Sequence, residues 1–178
     1  MSLLETFMMA RSISFKDGNI SLFSNRIVMA PATFFFEFTK AIENSPSETH
    51  SLYESAKTSF KDVVVKDVRT YKFSVNDYIK WLFDIAIFSG WGMLKLESLD
   101  KEKMQGIITM TNSPVSEGLV GKAKMPVDHI VRGFIAGALS VAFKKDLDVA
   151  EMECVALGAQ SCKFIFKLAE EFKEGEVK

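Results

Sequence analysis

The residues best placed to do chemistry lie near the end of the chain. Glu151-Met152-Glu153-Cys154 is followed, after seven intervening residues, by Cys162. Gly158 lies midway between the cysteines, and folding the segment as a hairpin about it sets Cys154 opposite Cys162. Opposed side chains on one sheet face come close enough to share a ligand or form a disulfide. In a cytosolic protein a metal is the commoner use of such a pair than a structural disulfide. On the residues alone three readings stay open. Two buried thiols acting as small hydrophobes rank first, a metal second and a redox pair last.

The alternation along the first strand of this hairpin is irregular. Leu147 and Val149 share a face with Glu151 and Glu153, while Met152 and Cys154 fall on the other. A β-bulge near Ala150-Glu151 repairs this, placing Leu147, Val149, Met152 and Cys154 together. Without a bulge Glu151 and Cys154 point apart and cannot bind one ion. On the second strand Cys162, Phe164 and Phe166 share an inward face, flanked by Lys163 and Lys167.

A helix opening at Met125-Pro126 and running to about Phe143 precedes the hairpin. Its first turn carries Asp128, favourable to the helix dipole, and His129. Gly133 and Gly137, four apart, let another backbone approach closely. A Cys162–His129 dyad ranks well below separate roles for the two residues. There is no G-x-G-x-x-G after a strand, no phosphate-binding loop, no H-E-x-x-H and no nucleophile elbow. No nicotinamide or flavin cofactor is therefore expected, no catalytic residue is assigned, and a binding role is preferred to an enzymatic one.

The elements that must position these residues follow from periodicity and turn chemistry. Ser12–Lys16 and Asn19–Phe23 read as a hairpin about Asp17-Gly18, with Arg26–Met29 extending it. Thr33–Ile42 reads as a helix with Phe34, Phe35, Phe38 and Ile42 on one face and Phe36 elsewhere. After an Asn44–Glu48 loop comes a helix from His50 to about Lys66. Another is capped by Ser74 and runs through Ser89. Trp91–Ser98 and Met104–Thr111 form a second hairpin about Leu99-Asp100, and Ser113-Pro114 opens a short helix. Strands, helices and more strands in this order predict an α+β fold: an antiparallel sheet built from hairpins, with helices packed on it. No linker or repeat appears, so residues 1–178 read as a single domain.

With 178 residues, 48% of them hydrophobic, the chain can bury a full core without disulfide or metal. A net charge of −1 removes the basic footprint that nucleic acid requires. No apolar run reaches the length of a membrane span. Met1–Glu5 lacks the basic and apolar regions of a signal peptide, so the chain reads as cytoplasmic. Sixteen Phe and nine Met suit a large core, an apolar cavity or an oligomer interface equally.

The run Arg132-Gly133-Phe134-Ile135-Ala136-Gly137, then Ala142-Phe143, then Glu151-x-Glu153-Cys154, Gly158 and Cys162-x-Phe164 resembles the 4-vinyl reductase domain family. That family includes a protein linked to bacteriochlorophyll vinyl reduction and the sensor domains of phenol- and xylene-responsive bacterial activators. Its fold is similar to that of haem-based nitric-oxide sensors and Golgi transport-particle subunits. The specific motif spans Asp128 to Phe164, and weaker similarity, including Gly90-Trp91-Gly92, extends through most of the chain.

The resemblance implies an α+β fold and often a dimer. In the aromatic-sensing members it implies zinc held by a cysteine, a glutamate and two further cysteines. Glu151, Cys154 and Cys162 match the last three, while Asp128 stands at the position of the remaining cysteine. Aspartate is an acceptable zinc ligand, and His129 is the alternative neighbour. With the resemblance included, a closed structural zinc site becomes the leading reading.

The expected function is a small-molecule sensor domain for an apolar or aromatic ligand. Its pocket is expected at Met110, Phe134 and Val149, between the glycine helix and the strands. Output would pass through a regulatory protein partner. The alternatives are a vinyl-group reductase or accessory in tetrapyrrole metabolism, and a protein-interaction module. A homodimer through the Phe-rich helix is expected, with Phe36 at its face.

Overall fold

The computed structural model describes residues 13–22, 25–71 and 74–172. Ser12, Phe23, Met1–Glu5 and the tail beyond residue 172 lie outside them. The chain divides into two compact units, Met1–Pro31 and Ala32–Lys178. In the first, β1 (Ile13–Lys16) and β2 (Asn19–Leu22) form the expected hairpin. Asp17 and Gly18 both take positive φ, 50° and 75°, as a type I′ turn requires. β3 (Asn25–Ile27) adds antiparallel to β2.

The second unit contains α1 (Ala32–Ile42), α2 (Pro46–Tyr71), α3 (Val75–Phe88), β4 (Met93–Asp100), β5 (Gln105–Thr111), α4 (Pro114–Gly118), α5 (His129–Phe143), β6 (Leu147–Glu153) and β7 (Cys162–Leu168). Its four strands are antiparallel in the order β4-β5-β7-β6. Two hairpins thus meet along β5 and β7, with β6 at one edge. Five helices and two antiparallel sheets among the described residues make the expected α+β fold.

Three boundaries differ from expectation for local reasons. α2 starts at Pro46 rather than His50, because Pro46 fills the first helical position while the Ser45 carbonyl accepts the Glu48 and Thr49 N–H groups. β4 runs through Asp100, whose Oδ1 accepts the N–H groups of Glu102 (3.1 Å) and Lys103 (3.0 Å) and so moves the turn beyond it. α5 starts at His129 rather than Pro126, since Asp128 is not helical (φ −84°, ψ 44°).

α1 also presents a different face. Phe35, Phe36 and Ile42 are half-buried around the buried Thr39. The Phe35 ring meets Trp91 at 5.0 Å, and the Phe36 ring lies against Gly118 of α4. Phe34 and Phe38 are exposed (59% and 42%), and their rings stack on each other one turn apart. The stripe is centred on a threonine, which hides it from a reading based on apolar periodicity.

α5 is the centre of the unit and is buried without a break from Val131 to Ser140. Such all-round burial marks a core helix rather than a surface one. The strands offer it an inner face of fully buried Ile108, Met110, Leu147, Val149, Cys162, Phe164 and Phe166. Its glycines face α2. A Cβ on Gly133 would stand 2.6 Å from the Tyr53 carbonyl oxygen, and one on Gly137 would collide with the Lys57 carbonyl. The glycines therefore serve a close helix crossing within the chain. They do not leave room for a pocket beside the strands.

Candidate metal centre

The acidic and sulfur groups gather where β6, β7, α4 and the start of α5 meet. One ligating atom from each of Asp128, Glu151, Cys154 and Cys162 lies within 4.8 Å of the others, and all four residues are buried. The bulge that makes this possible falls at Met152, between Glu151 and Glu153, rather than at Ala150-Glu151. Glu151 accordingly stays on the inner face with Leu147 and Val149, opposite Phe164. Met152 is extruded to solvent (59% exposed) instead of joining the apolar face, and Cys154 turns back inward. The cysteines are free thiols.

Two serines complete the cluster. Ser113 Oγ donates to Asp128 Oδ1 (2.6 Å), and Ser116 Oγ donates to Asp128 Oδ2 (2.5 Å). Ser116 Oγ also lies 3.4 Å from the sulfur of each cysteine. The Asp128 N–H donates to Glu151 Oε2 (3.0 Å), while Glu151 Oε1 is buried with no hydrogen-bond partner. An orphaned buried carboxylate oxygen is costly and calls for a partner such as an ion.

The crowded acids shift one another. A hydrogen bond from the Cys162 thiol, with further help from Ser116 and Glu151, holds Cys154 down at about 5. The same bond, burial and the Asp128 charge push Cys162 up. Burial, then the charges of Asp128 and Cys154, raises Glu151 well above the ordinary carboxylate range. Without a cation the site thus favours one thiolate, one thiol and a protonated Glu151.

Residues 107–168 match the family model of the 4-vinyl reductase domain. The chain carries a 4-vinyl reductase domain. No curated protein matches it in sequence. Among solved structures, the phenol-responsive sensory domain of the transcription activator PoxR superposes with a TM-score of 0.81 at 18% identity, covering 98% of this chain and 92% of that one. A vinyl-4-reductase family protein from Methanocaldococcus jannaschii gives 0.55 at 22% identity, covering 80% and 83%. Subunit 3 of a trafficking protein particle complex from Naegleria fowleri, covalently bound to palmitic acid, gives 0.54 at 14%, covering 80% and 95%. At these identities the likeness concerns the fold.

Within the 4-vinyl reductase segment, His129 stands outside the quartet. Its Nδ1 lies 3.5 Å from an Arg132 nitrogen, its Nε2 is buried without a partner, and burial, then Arg132, depresses it to about 4. Met110 sits directly opposite Cys162 on β5. Phe134 packs edge-on against Phe60 of α2 at 4.7 Å. Val149 lies on β6, and all three belong to one apolar cluster.

A second buried polar group had escaped the sequence reading. Asp148 Oδ1 accepts from the Tyr53 hydroxyl (2.7 Å) and from Lys57 Nζ (2.6 Å), which also reaches Asp146 at 3.1 Å. The Tyr53 hydroxyl in turn accepts the Val149 N–H (3.2 Å), and Arg132 Nε donates to the Val149 carbonyl (3.1 Å). The Arg132 guanidinium lies over the Tyr53 ring, 4.8 Å from its centre. This clamp satisfies the outward backbone groups of edge strand β6 two residues before Glu151. The one available signal was a lone arginine in the apolar run Ile130–Phe143, since buried charge implies a buried partner. Among the described residues no helix is long and apolar enough to cross a membrane.

Proposed function

We propose that this domain binds a small apolar or aromatic molecule and carries a structural zinc ion on Asp128, Glu151, Cys154 and Cys162. The observation that supports the metal is the buried quartet, with one Glu151 oxygen lacking a partner. Mixed thiolate and carboxylate donors suit zinc. A dication turns the mutual repulsion of the acids into attraction. Its binding releases protons from Cys162 and Glu151 and so weakens as pH falls. Four protein donors fill a tetrahedral shell, which suits holding β6, β7 and α5 together rather than activating water.

The ligand reading is supported by the fold shared with a phenol-responsive sensory domain. Met110, Phe134 and Val149 are the proposed lining, where an aromatic ligand would gain ~25 cal/mol per Å² of apolar area buried. Binding without turnover is the preferred reading, in a cytoplasmic protein with a regulatory partner. The homodimer face moves from Phe36 to the exposed Phe34–Phe38 pair, a solvent-facing apolar feature suited to a second copy. Phe34→Glu should then yield a monomer by sedimentation.

Native mass spectrometry and a thermal-shift panel of phenols and fatty acids test the proposal. About one zinc per chain and ligand-dependent stabilisation are expected. Metal-free protein that takes up no zinc at neutral pH would reject the metal. Product formation from a vinyl substrate with added reduced nicotinamide, lost in a Phe134 variant, would replace binding by reduction.

A further inference from the structure

Asp128 stands at the N-terminal boundary of α5, where an aspartate ordinarily accepts the first free N–H groups of the helix. It makes no such bond. Its carboxylate turns instead toward α4 and takes a serine hydroxyl on each oxygen, Ser113 on one and Ser116 on the other. Both serines are fully buried. Ser113 is itself fixed, because its Oγ accepts the Ser116 N–H (3.2 Å) as the cap of α4. The two hydroxyls therefore form a fork that prevents the carboxylate from rotating toward the helix. Each carboxylate oxygen keeps a further lone pair, so a carboxylate held in this way can still ligate.

Ser116 is the more telling of the two. Its oxygen lies within reach of Asp128 and of both sulfurs, so it touches three of the four acidic residues. It carries one proton, and the short contact to Asp128 Oδ2 shows where that proton goes. The partnerless Glu151 oxygen across the cluster independently points to a cation. We infer that Ser116, supported by Ser113, is the positioning residue that makes Asp128 the fourth metal ligand. This rests on the zinc reading given above.

Cobalt(II) and zinc titrations at neutral pH test it, using the full chain, Ser116→Ala, Ser113→Ala, Asp128→Ala and the Ser116→Ala/Asp128→Ala double variant. Ser116→Ala should weaken cobalt binding roughly tenfold or more, the usual effect of losing a group that orients a ligand. It should shift the cobalt d–d bands while leaving the two-thiolate charge-transfer band in place. Ser113→Ala should lose less, in the same direction, and Ser116→Thr should restore binding. In the Asp128→Ala background, removing Ser116 should cost nothing further, because it acts through Asp128. Wild-type affinity and spectrum in Ser116→Ala would overturn the inference. So would a loss that persists without Asp128, since the hydroxyl would then serve the sulfurs directly. If Ser116→Ala does not fold, as judged by circular dichroism, the Ser113→Ala and Ser116→Thr pair decides by the same criteria. A wild-type chain that takes up neither metal defeats the zinc reading itself and the inference with it.

Discussion

Two buried polar groups lie within three residues of each other on β6, and they solve opposite problems. The clamp around Asp148 mixes signs: Lys57 and Arg132 are set among Asp148, Tyr53 and the backbone of Val149. The quartet around Glu151 gathers four acidic groups, with neutral serines as its side-chain hydrogen-bond donors and one carboxylate oxygen unmet. The first is complete as protein. The second is chemically suited to an added cation. Charge balance, rather than burial, separates a polar group that stabilises the fold from one that waits for a ligand.

The sharpest way to break the comparison is at Asp148. Asp148→Ala leaves Lys57 buried with only the exposed Asp146 and deprives the Tyr53 hydroxyl of an acceptor. A loss of about 3 kcal/mol is expected, because breaking a buried pair strands its partner. Chemical denaturation should show the same loss with and without added zinc. A loss seen only in the zinc-loaded protein would mean that the two groups are one system.

The quartet should respond with the opposite dependence. Glu151→Gln removes a carboxyl that is already driven toward its protonated form by burial and by Asp128. The metal-free protein should therefore change by no more than about 1 kcal/mol, the size of a single hydrogen bond. At a hundredfold excess of zinc over its dissociation constant the parent gains about 2.7 kcal/mol, and the variant should forfeit most of this. Equal thermal shifts for parent and variant on adding zinc would remove Glu151 from the ligand set.

The crossing of α5 on α2 carries both groups, since α5 bears Arg132 with Asp128 at its start, and α2 bears Tyr53 and Lys57. Gly137→Ala forces a methyl group against the Lys57 carbonyl. A loss of about 2 kcal/mol is expected from overpacking, with weaker metal uptake only as a secondary effect. An unchanged melting temperature would show that the crossing has slack.

What the residues revealed in advance followed from local rules. The hairpin turns, the Ser74 and Ser113 caps, and the spacing of Glu151, Cys154 and Cys162 are each governed by a few consecutive residues, and each was readable. The bulge was expected from broken alternation, but its site was missed by one or two residues. Extruding Met152 rather than Glu151 depends on the Asp128 N–H waiting across the cluster to receive the carboxylate. The Tyr53–Asp148 clamp was invisible for the same reason: its partners lie 95 residues apart, and no periodicity connects them. The Phe-rich helix misled because the centre of its buried face is Thr39.

The smallest expected effect is in alkali, and it isolates the clamp. Burial, followed by the charge of Asp148 and the hydrogen bond to it, raises Tyr53 above its ordinary value of 10.0. Lys57 is also raised, because its bonds to Asp148 and Asp146 outweigh the opposing effect of burial. Both groups hold their protons more tightly folded than unfolded. The stability they contribute is therefore complete below about pH 10 and is lost as pH rises through their raised values. Above pH 10 the Tyr53 share amounts to about 1.4 kcal/mol per pH unit. Tyr53→Phe should cost about 1 kcal/mol at pH 7, by removing the acceptor of the Val149 N–H. Its stability should then fall less steeply than the parent's between pH 10 and 11. Denaturation curves at pH 7, 10 and 11 measure both quantities. Parallel alkaline slopes in parent and variant would mean that the Tyr53 hydroxyl ionises as readily in the fold as in the open chain, and that the clamp is looser than its distances imply.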